Sequence, residues 1–275
     1  MSIIPFTKME GTGNDFILID NRAGLLRGEI KLTDLVKKIC NRKFGVGADG
    51  VLLIEKDEKT AFLMRYFNSG GDEAAMCGNG ARCMARFAER LGVASRKFTF
   101  RTKSGIHEAE ITGDDIKLKV ETARIVQVEK KVTTPSAEFT GDLIDVGIPH
   151  FVIYVDDIDE LNVKKLGREI RNVGEFKPNG TNVNFIKIEK KLIKIRTYER
   201  GVENETLACG TGSIAAAISA SLHYNLLPPA QIQTRGGELK IYFKKSEKQS
   251  EKAEFSNIYL EGPARFICDG IYYYE

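Results

Sequence analysis

The sequence lacks the features that define several common classes of protein. No apolar run reaches the roughly 18 to 20 residues that a membrane-spanning helix needs, so we expect no membrane partner. The opening residues MSIIPF contain no basic segment followed by an apolar one, so we expect no export signal and a cytoplasmic protein. The net charge of +3 is spread over 41 basic and 38 acidic residues, which argues against nucleic acid as the main partner.

Histidine and cysteine are also few. The three histidines, His107, His150 and His223, are isolated, and neither His-Glu-x-x-His nor paired Cys-x-x-Cys spacing occurs, so we expect no metal. Five cysteines are an odd number in a chain of 275 residues, which indicates reduced thiols in a reducing compartment. Three of them are interpreted as small buried hydrophobic residues: Cys40, Cys83 and Cys268.

The composition that is present indicates a globular α+β protein. Hydrophobic residues make up 42% and charged residues 29%, and a length of 275 residues at about 150 per domain predicts roughly two domains. Helical periodicity predicts helices over 32–40, 80–91, 163–170 and 213–224. β-branched and aromatic runs predict strands over 16–20, 51–55, 62–67, 98–102, 116–120, 151–155, 183–188, 192–198, 239–243 and 257–260. Strands outnumber helices without regular alternation, which favours a mixed sheet.

The most informative feature is an internal repeat. Residues 66–68 and 76–81 align with residues 198–200 and 208–213 at a constant offset of 132. Each copy reads as a strand, a loop of eight residues, and a Cys-Gly-x-Gly motif that opens an alanine-rich helix. A period near half the chain length predicts two similar lobes related by a pseudo-twofold axis, which would bring Cys77 and Cys209 to face one another.

A cysteine immediately before Gly-x-Gly at a helix start lies among free backbone N–H groups and the positive end of the helix dipole. Such a site can lower a thiol pKa from about 8.5 toward neutrality, and the adjacent amides can hold a carboxylate. Inversion of a carbon centre by proton transfer requires a base on one face and an acid on the other. Cys77 and Cys209, one ionised and one protonated, could supply both.

Six ordered motifs show that the chain resembles the diaminopimelate epimerase family, within the cofactor-independent, two-cysteine racemases and epimerases. They are residues 8–16 (KMEGTGNDF), 44–50 (FGVGADG), 76–83 (MCGNGARC), 149–150 (PH), 180–184 (GTNVN), and 198–212 (YERG…ACGTG). The resemblance covers essentially the whole chain.

The resemblance implies an α+β fold of two pseudo-symmetric lobes, each a curved mixed sheet wrapped around a central helix. The active site would lie in the cleft between the lobes. We expect an N-terminal lobe of residues 1–121 plus 265–275 that contains Cys77, and a C-terminal lobe of residues 122–264 that contains Cys209. The implied reaction is interconversion of LL-2,6-diaminopimelate and the meso isomer without pyridoxal phosphate or any other cofactor, an isomerase step in lysine and cell-wall precursor biosynthesis.

The resemblance also assigns roles to single residues. Cys77 and Cys209 would be the catalytic thiols. The expected substrate-binding residues are Asn14, Asn68, Gly78, Asn79, Asn182, Glu199, Arg200, Gly210 and Thr211. The pairs Gly78-Asn79 and Gly210-Thr211 would receive the carboxylate at the reacting centre, and the charges of His150 and Glu199 would tune the two thiols.

Three positions depart from the family pattern. Some members have Gln at the position of Gly50 and Asn at the position of Ile148, so those substrate contacts would be absent or replaced here. Many members have Tyr at the position of Cys268, where it supports a homodimer. A homodimer is still expected for this chain.

Two alternatives stay open at this stage. Proline racemases, hydroxyproline epimerases and amino-acid racemases share the two-lobed layout and the thiol pair, but a substrate without a distal carboxylate would leave Arg200 unpaired. The second alternative is a dithiol redox protein or ligand-binding module in which Cys77 and Cys209 form a disulfide. Redox cysteines more often lie close together in sequence.

Overall fold

We describe a computed structural model for residues 2–26, 30–246 and 253–275. The helices are α1 (Leu32–Cys40), α2 (Gly78–Arg90), α3 (Val163–Arg171) and α4 (Gly210–His223). The strands are β1 (Ser2–Gly11), β2 (Asn14–Asp20), β3 (Gly50–Glu55), β4 (Leu63–Asn68), β5 (Glu73–Ala74), β6 (Lys97–Thr102), β7 (Gly105–Thr112), β8 (Asp115–Val120) and β9 (Arg124–Thr133). They continue with β10 (Glu138–Asp145), β11 (Pro149–Tyr154), β12 (Asn182–Glu189), β13 (Leu192–Glu199), β14 (Asn204–Thr206), β15 (Ala230–Thr234), β16 (Gly237–Lys245), β17 (Phe255–Pro263) and β18 (Arg265–Tyr274). The predicted α+β class, dominated by sheet, is confirmed. Among the described residues, no helix has the length and apolar character needed to cross a membrane.

The chain divides into two compact units. The first comprises residues 1–118 and 262–275, and the second comprises residues 119–261. In the first unit β1 pairs with β2, β2 with β3, β3 with β4, and β4 with both β5 and β6, and β7 and β8 complete the sheet. The pairs β2–β3 and β4–β6 are parallel and the others are antiparallel.

The second unit repeats the same pairing order. β10 to β17 take the places of β1 to β8, and the parallel pairs are again the second with the third strand, β11–β12, and the fourth with the sixth, β13–β15. Each first strand also has an outer antiparallel neighbour, β18 beside β1 and β9 beside β10. The internal repeat read from the two cysteine motifs therefore extends over each whole unit.

The central strands β2 and β11 are buried on both faces, and their alternate side chains point into two different cores. In β2, Phe16 and Leu18 pack in the core that contains α2, whereas Ile17 and Ile19 pack in the core that contains α1. The second unit follows the same plan. Val152 of β11 packs in the core that contains α4, and Phe151 packs in the core that contains α3.

The central helices α2 and α4 are more deeply buried than the outer helices α1 and α3. All residues of α4 from Gly212 to Ser221 are buried, because strands of the whole second unit contribute to the core around it. Small residues on α4 allow the surrounding strands to pack close to the helix. The three consecutive alanines Ala215, Ala216 and Ala217 have no exposed surface.

We expect Ala216→Leu to lower the free energy of unfolding by about 1–3 kcal/mol, because a core already at full density has no room for three more carbon atoms. Urea unfolding followed by circular dichroism measures the change. An unchanged unfolding midpoint would show that the core around α4 is less tightly packed than described.

Candidate active site

Cys77 is the N-cap residue of α2. Its backbone is extended, with φ −141° and ψ 119°, and the two glycines that follow, Gly78 and Gly80, occupy the first helical turn. A Cβ at Gly80 would lie 3.2 Å from Leu52, whereas a Cβ at Gly78 would meet no atom within 4 Å. Gly80 is therefore required for packing of α2 against β3, and Gly78 borders open space beside the thiol.

Two asparagines, Asn14 at the start of β2 and Asn79 in α2, lie beside Cys77. The Cys77 Sγ lies 3.8 Å from Asn14 Oδ1, which also accepts a hydrogen bond of 3.3 Å from Asn79 Nδ2. Asn14 Nδ2 donates to Asp49 Oδ2 at 2.6 Å. The structure thus brings together Cys77, Asn14 and Asn79, three of the residues predicted from sequence, and fixes the orientation of the Asn14 amide.

Asp49 belongs to a charged cluster that the sequence analysis did not single out. Arg42 bridges Asp15 at 2.7 Å and Asp49 at 2.8 Å, and Lys8 lies 3.1 Å from Asp15. Burial acts to raise the pKa of Asp15, but hydrogen bonds from Arg42 and Lys8 outweigh it and lower that pKa. All these residues lie within the motifs 8–16 and 44–50 or just before the second motif. Their position in these motifs is the sequence signal from which the cluster could have been predicted.

Asn68 ends β4 and takes part in a tight turn, where its Oδ1 accepts a hydrogen bond of 3.2 Å from the backbone N–H of Asp72. Asn68 pairs in register with Gly50. A Cβ at Gly50 would lie 2.5 Å from Phe67 O and 2.7 Å from Tyr66 Cε2, so no side chain fits there without a shift of β4. The Gln that some relatives carry at this position has no equivalent here.

Cys209 is the N-cap residue of α4 and is 7% exposed. Its Sγ accepts a hydrogen bond of 3.4 Å from the backbone N–H of Gly212 and lies 3.5 Å from Thr211 Oγ1. A Cβ at Gly212 would lie 2.4 Å from Asn184 Oδ1, which explains the second glycine of this copy of the motif. Both cysteine motifs thus begin a helix, as the repeat predicted.

His150 is fully buried between two asparagine side chains. Its Nδ1 lies 3.1 Å from Asn184 Nδ2 and its Nε2 lies 3.4 Å from Asn182 Nδ2. Burial lowers the pKa of His150 to about 3, so the ring is neutral at neutral pH. The expected tuning of a thiol by His150 stays a prediction, and a neutral ring would exert it through hydrogen bonds instead of a charge. A neutral imidazole accepts a hydrogen bond at only one nitrogen, so it holds one of the two asparagine amides at a time.

The depressed pKa of His150 has a consequence for stability. Below its unfolded pKa of about 6.5 the unfolded chain binds a proton that the folded chain excludes, so stability falls with pH down to about 3, by ~1.4 kcal/mol per unit. Urea unfolding at about pH 6.5 and pH 5.0 should show a loss of about 2 kcal/mol in the wild type that His150→Gln lacks. The same pH slope in both proteins would contradict a neutral buried His150.

Glu199 ends β13 and Arg200 follows it, next to Asn182 of the neighbouring strand. Burial raises the pKa of Glu199, whose Oε2 accepts a hydrogen bond of 3.0 Å from Thr206 Oγ1. The backbone N–H of Arg200 donates to Asn182 Oδ1 at 2.7 Å, and its guanidinium donates to Asn179 O at 2.9 Å. In the part of the chain that the structure describes, no carboxylate pairs with Arg200.

The other cysteines differ from these two. All five are free thiols. Burial raises the pKa of Cys40 to about 12 and also raises the pKa of Cys83, so both are protonated at neutral pH. The interpretation of Cys268 as a buried residue is wrong, because it lies exposed on β18, an outer strand of the first unit.

Solved structures of other proteins share the fold of this chain and so define its fold class. A Bacillus anthracis phenazine biosynthesis protein of the PhzF family matches with a TM-score of 0.77 and 17% identity over 100% of both chains. A hydroxyproline epimerase from Agrobacterium vitis matches with a TM-score of 0.67 and 14% identity over 98% of this chain and 92% of the other. At these identities the likeness establishes the fold alone.

Sequence comparison gives the family within that class. The diaminopimelate epimerase family model matches residues 6–128 and 143–267. A diaminopimelate epimerase from Aquifex aeolicus is 44% identical over 96% of each chain, and one from Hydrogenobaculum is 42% identical over 98% of each chain. The chain belongs to the diaminopimelate epimerase family.

Proposed function

We propose that this chain interconverts LL-2,6-diaminopimelate and meso-2,6-diaminopimelate by moving one α-proton between two thiols, without a cofactor. The observation that carries the proposal is the repeated N-cap cysteine, Cys77 on α2 and Cys209 on α4, in a member of this family. The activity is that of an isomerase, and the product serves lysine and cell-wall precursor biosynthesis.

In this proposal one thiolate removes the α-proton while the other thiol donates a proton to the opposite face, and the reverse reaction exchanges the two roles. Cys77 and Cys209 are suited to both roles because each lies at the start of a helix, where unpaired amides and the dipole favour an anion. The scheme requires the two sulfurs to reach opposite faces of one carbon.

The carboxylate at the reacting centre would bind at the first amides of the two helices, at Gly78-Asn79 and Gly210-Thr211. Backbone N–H groups at a helix start are a natural carboxylate site, and they stabilise the negative charge that spreads onto the carboxylate as the α-proton leaves. The open space beside Gly78 supports this assignment, since a ligand can approach the backbone there.

The distal amino-acid end of the substrate would bind Arg200 together with Asn14, Asn68 and Asn182. Arg200 forms no ion pair with the described residues, so its guanidinium is available for a substrate carboxylate. Proline and hydroxyproline have no distal carboxylate and would leave this cation unpaired. The state of Arg200 therefore favours diaminopimelate over the substrates of the related racemases.

Glu199 would contact the substrate next to Arg200, and burial raises the pKa of its carboxyl. We propose that this carboxyl tunes Cys209. His150 would contribute by holding Asn182 in place, because its ring is neutral.

We further propose a cytoplasmic homodimer. Five free thiols suit a reducing compartment. The adjacent strands β1 and β18 carry large apolar side chains that are about half exposed, which suits contact with a second copy. These are Ile3, Phe266, Ile267, Ile271 and Tyr273. Analytical ultracentrifugation should give twice the mass of one chain, and a single-chain mass would contradict the dimer.

The proposed function is tested by incubating the purified protein with LL-2,6-diaminopimelate, reductant and chelator, with no cofactor added. Chiral chromatography should show the meso isomer accumulating to equilibrium, and the same equilibrium should be reached from the meso side. L-Proline and trans-4-hydroxy-L-proline serve as comparison substrates. Turnover of either of these, with none of diaminopimelate, would reject the proposal in favour of a related racemase.

A further inference from the structure

Arg82, in the second turn of α2, is a completely buried arginine. Its Nη2 donates to Thr12 Oγ1 at 2.9 Å and its Nε donates to Pro263 O at 3.2 Å, while its Nη1 has no hydrogen-bond partner among the described residues. No described carboxylate lies within ion-pair distance of Arg82. Burying a cation without an anion costs several kcal/mol, so the position calls for a role that offsets this cost.

A chain of polar contacts leads from Arg82 to the sulfur of Cys77. Thr12 Oγ1 lies 3.4 Å from Asn79 Oδ1, Asn79 Nδ2 donates to Asn14 Oδ1 at 3.3 Å, and that oxygen lies 3.8 Å from Cys77 Sγ. Asn79 and Thr12 are 7% and 1% exposed, so water screens little of the charge within this cluster.

The two ends of this cluster act on the thiol in opposite directions. Cys77 can donate a hydrogen bond to Asn14 Oδ1 only while it is protonated, so this contact favours the thiol. A buried cation favours the thiolate, and an arginine stays charged in proteins. Together Asn14 and Arg82 would keep the thiol and the thiolate of Cys77 close in free energy. A residue that serves as both acid and base requires this balance.

The other ionisable groups around Arg82 do not satisfy its charge. Those that interact with it electrostatically are Cys83, Cys77, Glu10 and Asp115. Burial raises the pKa of Cys83, so that thiol is neutral. Glu10 accepts a hydrogen bond from the backbone of Gly13 at 2.9 Å and lies 3.6 Å from Arg265. Asp115 interacts with Arg82 electrostatically but does not lie within ion-pair distance of it. Deprotonation of Cys77 would give this cluster an anion that pairs with the charge of Arg82.

The second repeat has no such cation. The offset of 132 places Ile214 at the position of Arg82, and Ile214 is 1% exposed within an apolar core. There the sulfur of Cys209 accepts the hydrogen bond from Gly212 N–H described above. The duplicated helices thus present electrostatically different surroundings to their N-cap thiols.

We propose that Arg82 is a positioning residue whose buried charge stabilises the thiolate of Cys77, a role that its counterpart Ile214 does not have for Cys209. The catalytic meaning of this inference rests on the proposed function, because only a two-thiol proton transfer needs Cys77 as a base. The electrostatic effect itself does not depend on any substrate.

The test is the pH profile of alkylation by iodoacetamide, which reacts with thiolates. Each cysteine is followed separately by mass spectrometry of its peptide, in the wild type and in Arg82→Met, Arg82→Gln and Arg82→Lys. Both neutral variants should move the midpoint for Cys77 upward by about one pH unit and leave the midpoint for Cys209 in place. Arg82→Lys, which keeps the charge, should retain the wild-type midpoint. Ile214→Met is the matched control in the other repeat and should move neither.

Arg82→Gln can still donate a hydrogen bond to Thr12, so it serves as the neutral variant if Arg82→Met fails to fold. Circular dichroism checks the fold of each protein. A folded neutral variant with an unchanged Cys77 midpoint would overturn the inference, and so would an equal shift at both thiols, which indicates a merely structural role. If the wild type fails to epimerise diaminopimelate but the Cys77 midpoint shifts, the proposed function falls and the inference about Arg82 stands. If diaminopimelate is epimerised but the Cys77 midpoint does not shift, the proposed function stands and the inference about Arg82 falls.

Discussion

Replacing either Cys77 or Cys209 with alanine should lower kcat/KM for diaminopimelate by about 10³-fold or more while leaving the fold intact. Alanine can neither take nor give a proton, and general acid–base groups typically contribute 10²–10⁴-fold each. Both cysteines lie at helix N-caps rather than in the middle of a core cluster, so their removal leaves the packing of α2 and α4 in place.

Steady-state kinetics in both reaction directions measure this effect, with thermal unfolding as the check on folding. The matched control is Cys268→Ala, which removes an exposed thiol from β18 and should keep wild-type activity. Near-normal turnover in either Cys77→Ala or Cys209→Ala would refute the two-thiol mechanism.

Replacing Arg200 with methionine should lower kcat/KM for diaminopimelate by about 10²-fold, because a charged hydrogen bond to a carboxylate is worth roughly 1.5–3 kcal/mol. The guanidinium has no ion pair among the described residues, so its loss breaks no internal salt bridge. Stability should change little, since the contact with Asn179 O is exposed.

A substrate analogue in which the distal carboxylate is replaced by a methyl group separates recognition from structure. Arg200→Met should turn over this analogue as well as the wild type does, and Arg200→Lys should recover part of the activity on diaminopimelate. An equal loss on both substrates would assign Arg200 to the structure of the loop instead of the distal carboxylate.

The sequence predicted all four helices because each has a long apolar face or an alanine-rich core. The first turns of α2 and α4 were missed by two and three residues, since Gly78 and Gly210 are poor helix formers and give no helical signal in the sequence. The residues that mark the site thus also obscured where the helices begin.

Several strands escaped prediction: β1, β5, β7, β9, β10, β14, β15 and β18. β9 carries Lys130 and Lys131, and lysine is disfavoured in strands, yet both pair with β10. β1 contains Pro5, a residue that sequence patterns count against a strand. Such strands form because a neighbouring strand supplies hydrogen bonds, and this information is not local.

The candidate site could be predicted only in part, because some of its properties depend on contacts between residues that are far apart in the sequence. The cysteine motifs are local and repeated, so their helix N-cap geometry follows from spacing alone. The neutral state of His150 depends on burial between Asn182 and Asn184, and Arg82 donates a hydrogen bond to the carbonyl of Pro263, which lies 181 residues away in the chain. Contacts of this kind exist only after folding.

The central claim is that two different groups handle the proton, and isotope exchange in D₂O tests it most directly. LL-2,6-diaminopimelate is converted under initial-rate conditions, and the α-deuterium content of product and of recovered substrate is measured by mass spectrometry. Two thiols predict that nearly every new meso molecule carries deuterium at the inverted carbon while the recovered substrate gains little. Protium retained in the product, or equal deuterium in substrate and product from the first turnovers, would indicate a single shared base and contradict the account.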